Sequence, residues 1–495
     1  MVGFVLSIDA GTTSIRTMLF SHEGAVLARS QEELRQIYPG PGMVEHDPKE
    51  IWDICRRTIS DCLSKPGIDP SECVAFGITN QRETVVVWDR DTGEPVCNAI
   101  VWQDRRTFDI CDRIRAAGHS DDILRRTGLQ VDAYFSGTKI KWILDNIPGA
   151  REGAEDGRLV FGTVETWIIW NLTAGRSHVT DHTNASRTML FNIRNLSWDR
   201  EIITHMGIPE TMFPEAVPSG SVFGHVDKGL FGISPPISGV LGDQQAALFG
   251  QGCFCKGDVK ITFGTGGFML MNIGDDPCIS SHGLLTTVAW SSEGDVDYAV
   301  EGSIYIAGAA VQWLRDDLEI IEESAETESM AMRVEDTAGC YIVPAFVGLG
   351  APHWDQNAKG IIMGLTRSTN RCHIARAALE SIAFQANDVL SAMRDGSGPD
   401  VVSVKVDGGA SANDFLCQFL ADITGVEVSR PECIESTALG AAYMAGLTVG
   451  FWSDRSEIRS NIDRTFIPRI SSEERLRMIK GWNHAVRCAK TWSMG

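Results

Sequence analysis

The sequence has no hydrophobic run long enough to cross a membrane, and the opening Met1-Val2-Gly3-Phe4 carries no basic residue. A spanning helix needs about 20 mainly apolar residues. A secretory leader needs a basic region, an apolar stretch and a cleavage site of small residues. We therefore expect a cytoplasmic protein with no membrane insertion.

The 13 cysteines are scattered along the chain without the regular paired spacing of a disulfide framework or a metal site. The close pair Cys253 and Cys255 has neither a second pair nor histidines at the spacing that structural zinc sites use. We interpret the cysteines as reduced thiols, most of them buried.

The shortage of basic residues and the lack of a P-loop motif each exclude a class of function. The chain has 44 Lys and Arg against 65 Asp and Glu, a formal net charge of −21. Because nucleic-acid binding requires clustered basic residues, we expect no nucleic-acid partner. The absence of a Gly-x-x-x-x-Gly-Lys-Ser/Thr motif excludes a P-loop. An ATP site built from backbone dipoles and a metal ion remains compatible with the acidic charge.

A short polar turn lies between two apolar runs near the start of the chain, with the sequence Ile8-Asp9-Ala10-Gly11-Thr12-Thr13-Ser14. This turn presents several backbone N–H groups and three hydroxyls at one point, which favours an anion such as phosphate. Asp9 ends the first strand and is placed to hold Mg²⁺, because hard cations prefer oxygen ligands. Taken alone, the motif also fits an ordinary hairpin with a polar turn.

The same pattern recurs at Ile261-Thr262-Phe263-Gly264-Thr265-Gly266-Gly267, about half of the 495-residue chain later. The composition, 43% hydrophobic and 22% charged, is that of an ordinary globular protein, and the length exceeds what one core usually holds. We predict two related domains, residues 1–250 and 251–495, each with one phosphate hairpin. The glycine-rich stretch from Gly239 to Gly267 marks the boundary.

Residues suited to a polyol occur at predicted strand ends in the first half. Arg82 and Glu83 connect two predicted strands. A guanidinium donates and a carboxylate accepts, so together they can hold vicinal hydroxyls, although exposed turn charges are the plainer interpretation. Trp102 can pack on the C–H face of a polyol or fill the core. Tyr134, just before a helical pattern, is another candidate hydroxyl partner.

Asp243 stands where a predicted strand runs into a helix. There it can cap the helix or act as a general base toward a substrate hydroxyl. In the second half, Asp407-Gly408-Gly409 ends an apolar strand before another helix. Glycines at such a turn let a nucleoside approach the backbone, although Gly-Gly is also a common turn.

These features together indicate ATP-dependent phosphoryl transfer to a sugar or polyol. The sequence resembles the FGGY carbohydrate kinases over essentially its whole length. The matching runs are Gly77 to Glu83, Asn98 to Gln103, Tyr134 to Leu144, Asp181 to Asn192, Gly239 to Gly250, Gly264 to Met271 and Asp407 to Asn413. Both family signatures are present, from Tyr134 to Asn146 and from Gly360 to Glu380.

The resemblance implies an α/β fold of two actin-like, ribonuclease H-like ATPase domains with an active-site cleft between them. It implies ATP and Mg²⁺ as cofactors, glycerol as the acceptor, and formation of sn-glycerol 3-phosphate as the first step of glycerol catabolism. It also implies a homo-oligomer, either a dimer or a tetramer.

The resemblance further implies roles for particular residues. Asp243 would be the general base, and in-line attack of a glycerol hydroxyl on the γ-phosphate is the expected step. The residues expected to hold glycerol are Arg82, Glu83, Trp102, Tyr134, Asp243, Gln244 and Phe268. Those expected to contact the nucleotide are Thr12, Thr13, Ser14, Arg16, Thr265, Gly308, Gln312, Gly409 and Asn413. Magnesium would lie near Asp9 and Asp243.

Two alternatives remain open. A kinase of the same fold that acts on another polyol or sugar would differ between Arg82 and Trp102, and a substrate panel separates it. A non-metabolic actin-fold ATPase would turn over ATP independently of glycerol.

Overall fold

The computed structural model describes residues 3–280, 282–395, 398–432, 435–458 and 462–492. The described strands are, in chain order, β1 (Phe4–Ala10), β2 (Ser14–Phe20), β3 (Val26–Glu33), β4 (Glu45–His46), β5 (Cys73–Asn80), β6 (Val86–Asp89), β7 (Ala99–Ile100), β8 (Leu159–Gly162), β9 (Val179–Asp181), β10 (Phe191–Asn192), β11 (Ser197–Trp198), β12 (Glu215–Val217), β13 (Gly224–His225), β14 (Pro236–Gly242), β15 (Asp258–Phe263), β16 (Gly267–Gly274), β17 (Leu285–Ser292), β18 (Asp295–Ile304), β19 (Tyr341–Val343), β20 (Ile361–Met363), β21 (Ser403–Asp407), β22 (Val428–Pro431) and β23 (Ile462–Phe466).

The described α-helices are α1 (Pro48–Leu63), α2 (Phe108–Ala116), α3 (Ser120–Thr127), α4 (Ser136–Asn146), α5 (Ala150–Glu155), α6 (Val164–Leu172), α7 (His182–Ala185), α8 (Arg200–Met206), α9 (Lys228–Phe231), α10 (Asp243–Gly250), α11 (Gly308–Asp316), α12 (Glu326–Ala331), α13 (Arg371–Asp395), α14 (Asp414–Thr424), α15 (Ser436–Thr448) and α16 (Ser472–Trp492). None of these helices combines the length and the apolar character needed to cross a membrane.

The first half is built on a six-stranded sheet in the order β13-β14-β5-β1-β2-β3. Strands β1, β5 and β14 are parallel, whereas β1, β2 and β3 form an antiparallel meander. Parallel strands covered on both faces are near-continuous apolar runs, and in β1 only Asp9 is not buried. The predicted first hairpin is therefore confirmed.

The second half repeats this arrangement in a seven-stranded sheet, β17-β18-β16-β15-β21-β22-β23. Here β15 forms a hairpin with β16 and lies parallel to β21, just as β1 forms a hairpin with β2 and lies parallel to β5. The second predicted hairpin is confirmed, and the duplicated α/β core is that of the expected fold class.

Helices from the two halves cross at a contact made by glycines. Helix α15 packs on β1, β5 and β14 of the first sheet and on α10. A Cβ at Gly440 would lie 1.9 Å from the Ala246 carbonyl oxygen, and one at Gly250 would lie 2.0 Å from the Ser436 carbonyl oxygen. Since α15 of the second half contacts the sheet of the first half, the two halves are packed together. We propose the domain boundary after Gly250, between α10 and β15.

Gly440→Ala is expected to lower the free energy of unfolding by at least 1 to 3 kcal/mol, roughly the cost of overpacking a well-packed site. The added methyl would meet helix backbone, which cannot rotate away as a side chain can. Urea unfolding followed by tryptophan fluorescence measures the change. Thr437→Ala on the same helix adds no atoms and is the control. Equal midpoints for the two variants would contradict the close contact.

Three segments differ from the sequence predictions. The segment from Thr84 to Trp88 predicts a strand. The strand begins at Val86, and it pairs with β8. The segment from Gly302 to Leu314 predicts a helix with small residues. The helix begins only at Gly308, because Gly302 to Ile304 pair with β16 and complete β18. The segment from Asp181 to Phe191 predicts a loop followed by a strand. It contains the short helix α7, in which the Thr183 and Asn184 N–H groups are capped by the Asp181 carboxylate. In each case long-range pairing or capping outweighed the local pattern.

Candidate active site

The candidate residues of the first half gather at one edge of the first sheet. Ala10, Asn80 and Gly242 are aligned neighbours at the carboxyl ends of β1, β5 and β14. The turn from Gly11 to Thr13, here named the first phosphate turn, follows β1. The loop from Gln81 to Val85, here named the polyol loop, follows β5, and α10 follows β14. Ligand sites of open α/β sheets lie at such an edge.

The first phosphate turn is held in place by its neighbours. The Gln81 backbone N–H donates to the Ala10 carbonyl at 2.8 Å, and its side-chain amide donates to the Gly11 carbonyl at 3.1 Å. The Trp102 indole N–H donates to the Thr12 hydroxyl at 2.9 Å. The turn is thereby connected to the candidate polyol residues.

Glu83 occupies a strained backbone position. Its φ is +63°, and the Thr84 N–H donates to the Arg82 carbonyl at 2.8 Å, which closes a tight three-residue turn. Such a turn is rare for a residue other than glycine and occurs where the surroundings impose it. The Ser136 hydroxyl at the start of α4 donates to the Glu83 carbonyl at 3.1 Å and helps to fix the turn.

Four buried charged residues form a closed ring of alternating sign, defined as the charge ring: Arg82, Glu83, Arg187 and Glu301. Arg82 donates to both carboxylate oxygens of Glu301, at 2.6 and 3.1 Å. Arg187 donates to Glu301 at 3.1 Å and to Glu83 at 2.6 Å. The Arg82 Nε lies 3.8 Å from Glu83 Oε1. Because Glu301 belongs to β18, the ring joins the second sheet to the polyol loop.

The pKa values within the ring reflect this arrangement. Burial alone would raise the pKa of Glu301, but Arg187 and Arg82 lower it to about 2. Burial raises the pKa of Glu83 despite the opposing effect of the two arginines. Glu301 is thus the anion that neutralises both guanidinium groups.

The charge ring leaves hydrogen-bonding groups free for a ligand. Arg82 has five N–H donors. Three of them donate to Gln245 and Glu301, and the Nε lies 3.1 Å from Asp243. The remaining N–H, on Nη2, has no acceptor in the described part of the chain, and Oε2 of Glu83 has no donor there. Next to them the Trp102 and Tyr134 rings meet edge to face, with centroids 5.6 Å apart. A donor, an acceptor and an aromatic wall suit a short polyol.

Asp243 is the first residue of α10 and is open to solvent. Its side chain is 32% exposed, whereas that of Arg82 is 2% exposed. Asp243 Oδ1 accepts from the Gln244 backbone N–H at 2.7 Å and lies 3.1 Å from the Arg82 Nε. The N-cap of α10 is Gly242 and no side chain in the described part of the chain caps this helix, so Asp243 is not the capping residue. Its carboxylate accepts from the N–H of the adjacent Gln244, and it stays available as the candidate general base.

Asp9 and Asp243 interact as like charges. Burial raises the pKa of Asp9 to about 6; Arg16 opposes this rise, and the negative charge of Asp243 adds to it. A divalent cation near both carboxylates would remove their repulsion. Among the described residues no group of three His, Cys, Asp or Glu side chains forms a metal site. Two carboxylates fit Mg²⁺, which commonly binds one or two carboxylates together with substrate phosphates.

The second phosphate turn, Gly264 to Gly266 between β15 and β16, lies against the start of α11. The Gly308 N–H donates to the Gly264 carbonyl at 3.0 Å, and the Ala307 N–H donates to the Thr265 carbonyl at 2.9 Å. Gln312 is exposed one helical turn beyond Gly308. The structure thus brings together Thr265, Gly308 and Gln312.

Glycines at the end of β21 lie beside this second turn. Gly408 has φ +84°, and a Cβ there would lie 2.4 Å from the Phe263 carbonyl oxygen. A Cβ at Gly409 would meet nothing within 4 Å, so this backbone is open to a ligand.

Several predicted nucleotide residues already have protein partners. Arg16 pairs with Glu435 and donates to Gln31 at 3.0 Å. The Ser14 hydroxyl accepts from Gln31 at 3.1 Å, and Thr13 is exposed. Asn413 caps α14 by accepting from the Leu416 N–H at 2.9 Å. Their predicted roles remain proposals.

Phe268 shares one face of the second sheet with the charged residues under the cleft. Cross-strand partners lie on the same face of a sheet. Thr262 pairs with both Phe268 and Asp407, and Leu270 pairs with Glu301. Phe268 and Leu270 are two positions apart on β16, so all of these side chains share one face. Phe268 is half-buried on this face.

Sequence reasoning missed Glu301, Arg187 and Gln245. Gln245 accepts from Arg82 at 3.2 Å. The signal in the sequence that could have indicated Glu301 is a single charged residue next to an apolar run, Ala299-Val300-Glu301. Its partners, however, are more than 100 positions away in the chain.

The chain matches known proteins over its full length. The FGGY family of carbohydrate kinases, N-terminal domain, matches residues 4–250, and the C-terminal domain of the same family matches residues 259–449. The chain is 57% identical to a glycerol kinase of Caldanaerobacter subterraneus subsp. tengcongensis over 100% of both chains. It is 56% identical to glycerol kinase 2 of Thermotoga maritima over 99% of both chains.

Solved structures support the same assignment. The Plasmodium falciparum glycerol kinase with ADP has a TM-score of 0.95 at 36% identity, covering 99% of this chain and 98% of that one. A xylulose kinase of Lactobacillus acidophilus, at 24% identity and a TM-score of 0.88 over 97% of this chain and 96% of that one, shares the fold. The predicted fold of two actin-like ATPase domains is confirmed, and the chain belongs to the FGGY family of carbohydrate kinases.

Proposed function

We propose that this chain transfers the γ-phosphoryl group of ATP to glycerol and forms sn-glycerol 3-phosphate, the first step of glycerol catabolism. The observation that carries the proposal is the partly exposed Asp243 carboxylate, 3.1 Å from the Arg82 guanidinium, at the sheet edge that also holds the first phosphate turn. Full-length similarity to glycerol kinases supports glycerol as the acceptor.

The acceptor side of the reaction uses residues of the first half and one aromatic of the second. Arg82 donates to glycerol hydroxyls and Glu83 accepts from them. Trp102, Tyr134 and Phe268 cover the carbon chain, while Gln244 lies beside the remaining hydroxyl. Asp243 takes the proton of the attacking hydroxyl. The new O–P bond forms as the bond between the γ-phosphorus and the β,γ-bridging oxygen breaks, and that electron pair leaves with ADP.

The donor side uses both phosphate turns. Backbone N–H groups and hydroxyls of Thr12, Thr13 and Ser14, with Arg16, face the phosphates from the first half. Thr265 faces them from the second half, and Gly308, Gln312, Gly409 and Asn413 border the nucleoside. Asp9 and Asp243 would hold Mg²⁺, which supplies charge neutralisation at the phosphates when bound.

The proposal also includes a cytoplasmic location and a homo-oligomer, either a dimer or a tetramer. Light scattering after gel filtration measures the oligomeric state.

Arg82→Ala is expected to raise the KM for glycerol by about 10- to 100-fold. The substitution removes hydrogen bonds from a charged group to the glycerol hydroxyls, and their loss costs about 1.5 to 3 kcal/mol of binding free energy. The KM for ATP should change much less, because Arg82 contacts Asp243 and Glu301 but neither phosphate turn. Coupled assays that measure ADP release give both constants. Arg56→Ala, which removes an exposed arginine of α1, is the control. An unchanged KM for glycerol would reject the role of Arg82.

A substrate panel separates the remaining alternatives. We expect a higher kcat/KM for glycerol than for xylulose, gluconate or 1,2-propanediol, because a site built to hydrogen-bond hydroxyls discriminates strongly against their loss. Equal efficiency on a pentose would indicate a sugar kinase, and ATP turnover independent of glycerol would indicate an ATPase.

A further inference from the structure

Lys260 is a fully buried lysine beneath the candidate active site. It lies on β15, and its ammonium group donates to the side-chain carbonyl of Gln244 and, at 2.8 Å, to the Thr262 hydroxyl. Gln244 belongs to α10 of the first half and follows Asp243 directly. Thr262 lies two positions before Gly264, the first residue of the second phosphate turn. Lys260 therefore connects the residue beside the base with the strand that carries that turn.

The contact with Lys260 fixes the orientation of the Gln244 side chain. An ammonium group can only donate hydrogen bonds, so the amide oxygen must face Lys260. The amide NH₂ group then points the other way, and its nitrogen lies 3.3 Å from Asp243 Oδ2. Without Lys260 the amide could rotate and turn its oxygen toward the carboxylate.

The two oxygens of Asp243 consequently have different surroundings. Oδ1 accepts from the Gln244 backbone N–H at 2.7 Å and lies 3.1 Å from the Arg82 Nε. Oδ2 has the single longer contact with the Gln244 amide. Oδ2 is therefore the oxygen available to an incoming hydroxyl, and the Gln244 amide determines where it lies.

We propose that Lys260 is a positioning residue for the general base: through Gln244 it holds Asp243 with Oδ2 directed at the attacking hydroxyl. Lys260 touches neither glycerol nor the reacting phosphate in this role. The inference rests on the proposed phosphoryl transfer to glycerol and assigns a new participant to that site.

The chain supplies a matched control in Lys405. Lys405 is the direct neighbour of Lys260 on the adjacent parallel strand β21, so both side chains lie on the same face of the sheet. It donates to the carbonyls of Gln251 at 2.6 Å and Gly252 at 3.0 Å, at the far end of α10. The two lysines thus support the two ends of one helix, and only Lys260 acts at the end that carries Asp243.

The experiment compares Lys260→Met with Lys405→Met. Lys260→Met should lower kcat by about 10- to 100-fold while the KM values for glycerol and ATP stay within about threefold, since a misoriented base affects the transition state more than substrate binding. Lys405→Met should keep kcat within about threefold of the parent. Lys260 is buried and Lys405 is half-buried, so either variant can lose stability. Thermal unfolding and circular dichroism identify any variant that fails to fold.

A double-mutant cycle with Gln244→Leu tests whether Lys260 acts through Gln244. If it does, Lys260→Met should lower kcat far less in the Gln244→Leu background than in the parent. Gln244→Leu alone should reproduce the loss of kcat, which keeps the test valid even if Lys260→Met does not fold. Equal losses of kcat in the two lysine variants, or additive effects in the cycle, would overturn the inference. An unsubstituted protein that fails to phosphorylate glycerol would overturn the proposed function instead.

Discussion

Asp243→Asn is expected to lower kcat by about 100- to 10,000-fold, the usual contribution of a positioned general base. Asparagine has nearly the same shape and can still accept the Gln244 backbone N–H, so the start of α10 should be kept. It cannot take a proton from the glycerol hydroxyl. Coupled turnover assays at saturating glycerol and ATP measure the effect, with circular dichroism as the check on folding.

A surface carboxylate in an equivalent helical position provides the control. Asp121 lies in the first turn of α3 and is exposed, so Asp121→Asn should leave kcat unchanged. If Asp243→Asn keeps kcat within about threefold of the parent, Asp243 is not the base. Because Asp243 is also a candidate Mg²⁺ ligand, the kcat of the variant should be compared over a range of Mg²⁺ concentrations. Recovery at high Mg²⁺ would assign the loss to metal binding rather than to proton transfer.

The parts of the site that the sequence predicted are those encoded locally. Both phosphate turns are short polar segments between apolar runs, and each formed a hairpin as expected. Asp243 and Gly408 were found because each stands where a strand ends before a helix. At such a junction, residue type and position follow from a few neighbouring residues.

The parts that the sequence did not predict depend on register between distant strands. Glu301 faces Arg82 only because β18 pairs with β16 in one particular register. Lys260 lies under α10 because β15 presents alternate side chains to that helix. A one-residue shift in either strand would turn these charges to the opposite face. No pattern within the local segments encodes that register.

Helix α11 shows the same limit. The segment from Gly302 to Leu314, with its small residues at Ala307 to Ala310, predicts a helix, yet Gly302 to Ile304 are cross-strand partners of β16. The helix begins only at Gly308, where the backbone approaches the second phosphate turn. Tertiary pairing therefore set the start of the helix.

Glu301→Gln is expected to give the largest loss of stability, about 3 to 5 kcal/mol, because removing one partner leaves buried charges uncompensated. Glu301 neutralises both Arg82 and Arg187. Without it Glu83 would be the only buried carboxylate that the two guanidinium groups share, and Arg82 would keep only the partly exposed Asp243 besides. The pKa of Glu301 gives a similar magnitude: lowering it from 4.5 to about 2 corresponds to about 3 kcal/mol. Urea unfolding of parent and variant at pH 7 measures the difference.

The pH dependence of the difference in unfolding free energy between the parent and Glu301→Gln distinguishes the effect of the Glu301 charge from the effect of its packing. A carboxylate whose pKa is lowered by folding stabilises the protein above its unfolded pKa of 4.5, and this contribution is lost as the pH falls toward about 2. The stability gap between parent and Glu301→Gln should therefore be largest above pH 4.5 and shrink below it. Glu94→Gln, which removes the partner of Lys49 from an exposed ion pair, should change stability little at any pH. A gap for Glu301→Gln that stays constant down to pH 3 would show that shape rather than charge makes Glu301 necessary. A gap that closes would establish that the second sheet holds the polyol loop electrostatically.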